Sequence, residues 1–289
     1  MRQELRSEPV LHADETPITL RPEQGKGTKQ GWIWLWRSLS RPGPPKAMVE
    51  FLESRGRDGP LAFLRGVSPV LIVDGYSGYD AAVAQNEITR AGCWSHARRY
   101  VKEALDSDSK RAMRLLVPIQ RLFWIERAVA RRAEALDLDH DSLVELRHAV
   151  RERRSRSLVA RIIEVAEELE LDRGVLPKSK LGKAVGYLLR QRKPLAVHLD
   201  DPRLPIHNND AERDLRHIAV GRKNWQVFAS PKGGEVGCRL FSLVLSAKLA
   251  GIDVEAYLQD VLARVDTTPA SDIASLTPWA WASAAARQD

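Results

Sequence analysis

The pattern of hydrophobic and polar residues along the first third of the chain predicts β-strands. The segment 9–20 (PVLHADETPITL) mixes apolar and polar positions around Asp14, and the segment 31–38 (GWIWLWRS) alternates large apolar residues. Its tryptophans fall on one face: Trp32, Trp34 and Trp36. A period of two is typical of a half-buried strand. The glycine-rich segment 23–31 (EQGKGTKQG) between the two predicts a hairpin loop.

A fully apolar run at 70–73 (VLIV) predicts a central strand. Asp74 comes directly after this run and Gly75 follows it, so the strand is expected to end in a turn. The segment 88–94 predicts a further strand.

The pattern changes to helical spacing between about residue 95 and residue 192. Apolar residues there recur three and four positions apart, and prolines and glycines are sparse. They include Leu115, Leu116, Ile119, Leu122, Phe123, Leu143, Leu146, Val150, Leu158, Ile162, Val165 and Leu169. This block is predicted to be all-helical.

After a loop at 199–210 with two prolines, the segment 208–220 (NNDAERDLRHIAV) predicts a short helix capped by Asn208 or Asn209. Two more helices are predicted near 237–249 and 254–265, and the tail beyond them is expected on the surface. Because the segments after the helical block are too short to bury a core easily, one domain interrupted by an insertion is favoured.

Composition narrows the class of protein. No apolar stretch is long enough to span a membrane, and the N-terminus lacks the apolar core of a signal peptide. The two cysteines are too few for a disulfide framework and suit a reducing cytosol. The formal net charge of +7 favours a polyanionic partner such as nucleic acid, although many basic proteins bind none.

Three acidic residues stand out as candidates for chemistry. Asp14 lies in an apolar strand context and Asp74 ends the central strand, where a carboxylate is costly unless something pairs with it. A strand residue that is partly exposed and an Asp-Gly turn are the structural alternatives. Glu212 borders the apolar stripe of its helix, with Asp210 and Asp214 on a wetter side. Its alternative is an acid in a first helical turn.

Three inward carboxylates on separate elements suit a pair of Mg²⁺ or Mn²⁺ ions, which prefer hard oxygen ligands. Two such ions can stabilise the attacking and leaving oxygens of an in-line phosphoryl displacement, with water or a DNA 3′-hydroxyl as nucleophile. Asp14, Asp74 and Glu212 are therefore the predicted catalytic residues and metal ligands.

Five segments carry a resemblance to a known family. In chain order they are HADETP (12–17), VDGYSGYD (73–80), CWSHARR (93–99), HNNDAERDLR (207–216) and GRKNW (221–225). In this order they resemble the insertion-sequence-66-type transposases of the DDE class. The resemblance extends over nearly the whole chain, including the segment KLAGIDVEAYLQDVL (248–262). The family's three acids fall on Asp14, Asp74 and Glu212.

The resemblance implies an α/β fold, a ribonuclease H-like mixed sheet flanked by helices, with a large helical insertion between the second and third acids. The expected division is a first part of the catalytic core at 1–96, the insertion at 97–193, the remainder of the core at 194–235 and a C-terminal helical segment at 236–289. The implied activity is metal-dependent cleavage and transfer of DNA strands during transposition.

The resemblance also implies partners. They are the transposon ends and target DNA, other copies of the chain on DNA, and accessory proteins of the same element, in a bacterial cytoplasm at the nucleoid. Relatives carry a recognition region before the DETP strand, and this chain is expected to lack it. A non-catalytic DNA-binding remnant and a nuclease that cuts without joining are the competing interpretations.

Other residues have both a functional and a structural interpretation. Cys93 and His96 form a Cys-x-x-His pair, for which structural support of the nearby strand is favoured over zinc, because no second pair completes a site. A basic and aromatic group follows the third acid and is predicted to contact DNA: Arg213, Arg216, Arg222, Lys223, Asn224 and Trp225. Solvated bases and a core Trp225 are the alternative. The run RERRSRS (151–157) predicts a solvated helix face or a phosphate track.

Overall fold

The computed structural model describes residues 1–21, 27–40 and 43–285. Its strands are β1 (Val10–Leu20), β2 (Lys29–Ser38), β3 (Ala47–Leu52), β4 (Val70–Ile72), β5 (Thr89–Ala91) and β6 (Val227–Phe228). They form a six-stranded sheet in the order β3-β2-β1-β4-β5, with β6 also paired to β1. The β1–β2 and β2–β3 pairs are antiparallel and the β1–β6 pair is parallel, so the sheet is mixed.

Helices make up most of the remainder. They are α1 (Arg2–Arg6), α2 (Asp58–Leu64), α3 (Asp80–Gln85), α4 (Trp94–Glu103), α5 (Ser109–Ala135), α6 (His140–Val150), α7 (Arg156–Leu171), α8 (Lys180–Arg190), α9 (Arg192–Asp200), α10 (Asn209–Trp225), α11 (Pro231–Leu249), α12 (Val254–Arg264) and α13 (Pro278–Ala285). Short 3-10 turns cover Ser77–Tyr79 and Ile273–Leu276, and a π-helical segment, Arg151–Ser155, joins α6 to α7. The predicted combination of strands and helices is confirmed: the protein is mixed α/β, with its mixed sheet flanked by helices.

The predicted hairpin is confirmed, but its second strand is not half-buried. Leu20 pairs with Lys29 at the start of an antiparallel ladder that runs to Leu11 and Ser38. The predicted loop at 23–31 ends inside β2, and its residues 23–26 lie outside the described part of the chain.

Both faces of β2 are covered. Trp36 stacks on Phe63 of α2 with ring centroids 3.9 Å apart, and Trp34 meets Tyr79 edge-on at 5.6 Å. On the opposite face, Ile33 and Leu35 join a core that contains residues of α10 and α11. The alternation therefore marks two packed faces, because large apolar residues occupy both sets of positions.

Helix α11 covers the edge of the sheet at β3. The Ser242 hydroxyl accepts a hydrogen bond from the Val49 N–H at 2.9 Å, and its oxygen also lies 3.2 Å from the Val49 carbonyl. The Ser246 hydroxyl donates to the Ala47 carbonyl. These serines satisfy backbone groups that an edge strand would otherwise expose. Strand β3 and helix α2 were not predicted, because the short, mixed sequence before residue 70 has no clear period.

The chain forms two compact units. Unit 1 contains residues 1–71, 77–89 and 210–289, and unit 2 contains residues 72–76 and 90–209. The predicted division at residues 96, 193 and 235 stays a prediction.

Unit 2 is built mainly from helices, as the spacing at 95–192 predicted. Its core joins α4, α5, α7, α8 and α9 through large apolar side chains, among them Trp94, Ile119, Ile162, Leu188 and Leu195. Its predicted strand at 88–94 is shorter than expected. Strand β5 ends at Ala91, and Cys93 is already the N-cap of α4.

The C-terminal part of unit 1 packs more closely than predicted. Both helices expected there are present as α11 and α12. The tail, which was expected on the surface, contributes Leu276 to a core with Tyr257, whose hydroxyl donates to the Leu276 carbonyl at 2.7 Å. Across the described residues, no helix combines the length and the hydropathy that crossing a membrane requires.

Candidate functional site

Asp14 lies in the middle of β1, opposite Leu35 of β2. Its side chain is half-buried, and its Oδ1 accepts a hydrogen bond from the Glu15 N–H at 3.0 Å. Because side chains alternate along a strand, Asp14 shares a sheet face with Ile18 and Leu20. These two residues belong to the core beneath α10 and α11. Asp14 therefore lies on the face that those helices cover.

The next residue, Glu15, lies on the opposite face and has a structural role that sequence reasoning missed. The Arg55 guanidinium donates to its Oε1 from Nε at 2.9 Å and from Nη2 at 2.6 Å. The Tyr79 hydroxyl donates to its Oε2 at 3.0 Å. Only 3% of the Glu15 side chain is exposed. Neighbouring residues of a strand point to opposite faces of the sheet, so the sequence could have shown that Asp14 and Glu15 have different surroundings.

Asp74 follows the apolar strand β4, as predicted, and belongs to unit 2. Its Oδ1 accepts a hydrogen bond from the Tyr76 N–H at 2.8 Å, which is the hydrogen bond of an Asx turn. The Arg90 guanidinium donates to the carbonyls of Asp74 and Tyr76 at 2.6 Å and 2.9 Å. The segment 74–76 therefore fixes the Asp74 carboxylate through the Tyr76 N–H, and Arg90 in turn holds the backbone of this segment.

Gly75 allows a close approach that a larger residue would prevent. A Cβ atom built at this position would lie 2.8 Å from Cε2 of Tyr187 on α8. Burial is the largest cause that raises the pKa of Tyr187 above its ordinary value of 10.0, and negative charge on Cys93 and Asp74 adds to it. Tyr187 therefore stays protonated beside the Asp74 turn. The sequence did not identify Tyr187 as a neighbour of Asp74, because spacing alone places it in the apolar stripe of α8.

Cys93 and His96 lie near each other in unit 2, with a ring nitrogen of His96 within 4.8 Å of the Cys93 Sγ. Cys93 is a buried free thiol, and its Sγ accepts a hydrogen bond from the Asn208 N–H at 3.2 Å. The neighbouring Trp94 N–H donates to the Ile206 carbonyl at 2.9 Å. These contacts join the start of α4 to the segment that precedes α10. Support of the nearby strand by Cys93 and His96 stays a prediction.

Glu212 lies in the first turn of α10 and is half-buried. The expectation that Asp214 lies on the wetter side of this helix is wrong. Asp214 is 3% exposed, and its Oδ2 accepts from the Nε of the buried Arg37 at 2.7 Å. Burial raises the pKa of Asp214, and the positive charge of Arg37 opposes this rise.

Two contacts hold α10 against the sheet, one to β2 and one to β1. At one end Arg37, which is opposite His12 in the ladder, binds Asp214. Further along, Arg222 donates to the Thr16 hydroxyl at 2.9 Å and to the Pro17 carbonyl. Asp14 lies between His12 and Thr16 on β1. The helix that carries Glu212 therefore passes over the part of the strand that carries Asp14.

The basic and aromatic residues predicted to contact DNA differ in their surroundings. Arg216, Lys223 and Asn224 are exposed, and Arg213 is exposed but pairs with Asp210 at 2.9 Å. Trp225 is half-buried and stacks on Phe228 with ring centroids 5.0 Å apart. The Arg222 side chain is engaged by β1, as above. A role of these six residues in DNA binding stays a prediction.

Residues 1–236 match the family described as "Transposase IS66 family", and residues 242–279 match the "IS66 C-terminal element".

Three proteins of Sinorhizobium fredii are similar to the chain over most of its length. Uncharacterized protein y4qI is 34% identical over 283 residues, which are 93% of this chain and 50% of that protein. Uncharacterized protein y4hP is 31% identical, with 96% of this chain and 51% of that protein covered. For uncharacterized protein y4jD the identity is 31%, and 96% of this chain and 54% of that protein are covered. The chain thus spans about half the length of these curated relatives.

Proposed function

Because this chain belongs to the IS66 transposase family, we propose that it cleaves and joins DNA strands in a metal-dependent reaction during transposition of an insertion sequence. The observation that carries the proposal is the position of α10, which is held against the sheet by the contact of Asp214 with Arg37 of β2 and by that of Arg222 with Thr16 of β1. This arrangement places the helix that carries Glu212 on the sheet face that carries Asp14, which supports a site shared by the two residues. Asp74, in its fixed turn, is the proposed third acid.

The donor atoms fit the ions that such chemistry uses. Asp14, Asp74 and Glu212 offer carboxylate oxygens, which Mg²⁺ and Mn²⁺ prefer as ligands. Each of the three residues is half-buried, so a carboxylate is shielded from bulk water without being sealed from it. Backbone N–H groups orient Asp14 and Asp74 in advance. We propose that these three residues hold two such ions.

When bound, the two ions would activate the attacking oxygen and stabilise the leaving oxygen of an in-line phosphoryl displacement. The contribution of the protein is to hold the carboxylates in position. The Tyr76 N–H keeps the Asp74 carboxylate in one orientation, and the buried Arg37–Asp214 pair sets the register of the helix that presents Glu212. Arg216, Lys223 and Asn224, exposed on the same helix, are proposed to hold DNA phosphates.

The wider description belongs to the same proposal. The order of the sheet, with β1 between β2 and β4, supports a ribonuclease H-like core, and the helices of unit 2 support an insertion between the second and third acids. Transposon ends and target DNA are the proposed substrates. Assembly of several copies on DNA and accessory proteins of the same element stay predictions.

The test is nicking of a supercoiled plasmid that carries the terminal sequences of the element. We expect the parent chain to nick it with Mg²⁺ or Mn²⁺ and to be inactive in EDTA. Asp74→Asn and Glu212→Gln should each abolish nicking and leave folding and salt-sensitive DNA binding intact. Glu235→Gln is the matched control, because Glu235 is an exposed acid early in the neighbouring helix α11.

The outcomes separate the competing interpretations. If Asp74→Asn or Glu212→Gln nicks DNA at the parent rate, the proposed catalytic site is wrong. A parent chain that binds the ends without nicking them would identify a non-catalytic remnant. Nicking without transfer of the cut end to a second plasmid would identify a nuclease that does not join.

A further inference from the structure

A groove with basic edges lies within unit 2, between α5 and the continuous helical rod formed by α6, the π-helical segment and α7. Its floor is apolar and contains Ile125, Val129, Leu146 and Val150. Its edges carry Arg121, Trp124, Arg132, Arg153 and Arg154, and these five residues define what we call the arginine groove. Two adjoining hollows of about 300 Å³ and about 400 Å³ form it.

The π-helical segment determines which of its arginines reach the groove. Arg151 is 1% exposed and turned inward, where Glu126 accepts two hydrogen bonds from its Nε and Nη2, each of 2.8 Å. The carbonyls of His198 and Leu204 accept two more. With Arg151 anchored, the wider π turn leaves Arg153 and Arg154 exposed along the groove. A π-bulge of this kind occurs frequently at functional sites.

The charges of the arginine groove are not balanced locally. Within residues 1–21, 27–40 and 43–285, its four arginines make no ion pair, and no carboxylate lies among the described residues that line it. Other arginines of unit 2 are paired: Arg156 with Glu152 and Asp200, and Arg161 with Glu164 and Glu168. A cluster of unpaired guanidinium groups attracts a polyanion, because phosphates replace the counterions that the cluster would otherwise hold.

Trp124 is the second observation that distinguishes this surface. Half of it is exposed, between Arg121 and Arg154, and it also borders the apolar floor. An exposed tryptophan beside arginines suits the sugar and base surfaces of nucleic acid, where aromatic stacking accompanies phosphate contacts. An ordinary solvated helix face would show charges of both signs and no large aromatic ring.

We propose that the arginine groove binds the sugar–phosphate backbone of DNA and is separate from the proposed carboxylate site. Arg121, Arg132, Arg153 and Arg154 contact phosphates, and Trp124 packs against a sugar or an unpaired base. The inference rests on the proposed function only in taking DNA as the partner. It assigns the helical unit a direct role in holding the substrate.

The experiment measures binding of a fluorescent duplex of about 30 base pairs, of arbitrary sequence, by anisotropy in EDTA. Arg153→Gln/Arg154→Gln should weaken binding at least roughly tenfold at low salt and reduce the slope of log K against log salt by about two, one for each lost phosphate contact. Arg121→Gln/Arg132→Gln should act similarly. Because all four side chains are exposed and unpaired among the described residues, the melting temperature should stay unchanged.

The matched control is Arg114→Gln/Arg161→Gln. It removes the same charge from exposed positions of the same unit, but there both arginines bind Glu168. This control should lower the affinity much less than the groove variants. Trp124→Ala should weaken binding of a single-stranded probe more than of the duplex, since stacking requires an unpaired base.

Equal losses in the control and the groove variants would overturn the proposal, as would parent affinity in both groove variants. A groove variant that binds DNA normally but changes its sedimentation would identify a self-association face instead. The absence of divalent ions separates this test from the proposed function. Loss of cleavage in Asp74→Asn with unchanged DNA binding would support the catalytic site and leave the groove unaffected.

Discussion

The buried pair of Arg37 and Asp214 shows how one tertiary contact can reverse a prediction of which helix face is exposed. Spacing on α10 assigned Asp214 to a wetter face, but Arg37 of β2 reaches it from a stretch of chain far away in sequence. Arg37 also donates to the Ser38 carbonyl at 3.0 Å and to the Ser40 hydroxyl at 2.9 Å. A guanidinium with several hydrogen-bond partners can hold a carboxylate in the interior.

Removal of one partner of this pair should be strongly destabilising. We expect Asp214→Ala to lower the free energy of unfolding by about 3–5 kcal/mol, because it leaves a buried charge on Arg37 without its partner. Urea denaturation measures this change. Asp210→Ala is the control, since Asp210 is more exposed and lies 3.5 Å from Arg37. The double change Arg37→Met/Asp214→Leu should recover most of the loss, and its failure to do so would contradict the interpretation.

His198 should make the stability of unit 2 dependent on pH. Burial lowers the pKa of His198 from 6.5 to about 3, and the positive charge of Arg151 adds to this effect. The folded protein therefore keeps the ring neutral while the unfolded chain protonates it below pH 6.5. This part of the stability is complete above pH 6.5 and falls as the pH is lowered towards 3.

The prediction is that His198→Asn loses less stability than the parent between pH 7 and pH 4.5. Asparagine can donate to the Leu195 carbonyl, which the His198 Nδ1 contacts at 2.8 Å, and it does not titrate. Chemical denaturation at several pH values gives the comparison. His148→Asn, at an exposed position of the same unit, should follow the parent curve. Parallel curves for all three proteins would refute the prediction.

At the scale of elements, α11 does more than add a layer to the sheet. It places two serine hydroxyls against the open edge of β3, so that the Val49 N–H and the Ala47 carbonyl of the edge strand find partners. Sequence alone does not reveal this, because serines inside a helix usually indicate neither an edge strand nor a partner.

Ser242→Ala should destabilise unit 1 by about 1–3 kcal/mol, since the buried Val49 N–H would lose its acceptor. It should also raise the tendency to aggregate, because a more weakly attached α11 exposes the edge of β3 more often. Thermal denaturation and light scattering measure the two effects. Ser275→Ala, at an exposed position in a 3-10 turn, should change neither. Unchanged stability in Ser242→Ala would show that the edge is satisfied by other means.

At the scale of the whole molecule, the family assignment covers nearly the full chain, yet the chain spans about half the length of its curated relatives. The proposed metal site offers a readout that needs neither transposon ends nor cleavage. A ligand that binds only the folded state raises its stability, by about 2.7 kcal/mol at a concentration one hundred times its dissociation constant.

Saturating Mg²⁺ should therefore raise the melting temperature of the parent chain by several degrees, roughly 2–4 °C for each kcal/mol in a protein of this size. Glu212→Gln should abolish the rise, because one ligand is lost. Glu235→Gln should retain it. Differential scanning calorimetry with and without EDTA measures the shift. An equal rise in all three proteins would mean that the ion binds elsewhere.

Local patterns predicted much of this fold because they act over a few residues. The mixture of apolar and polar residues around Asp14 predicted β1, and the period of two at Trp32, Trp34 and Trp36 predicted β2. The apolar run before Asp74 predicted β4, and helical spacing predicted the helices of unit 2. The ordered segments that contain Asp14, Asp74 and Glu212 were sufficient to identify the family. Each of these features depends on residues that are close together in the sequence, so it can be recognised without knowing the distant contacts.

Only the tertiary structure decided which polar residues are buried and what they meet. Arg37 meets Asp214, Glu15 meets Arg55 and Tyr79, and Ser242 meets the edge of β3, in each case across long separations in sequence. Burial of a charge depends on the partner that the fold brings to it, and that partner leaves no local pattern. For the same reason the run at 151–157 predicted positive charge, while the fold determined that Arg151 is an anchor and that Arg153 and Arg154 line a groove.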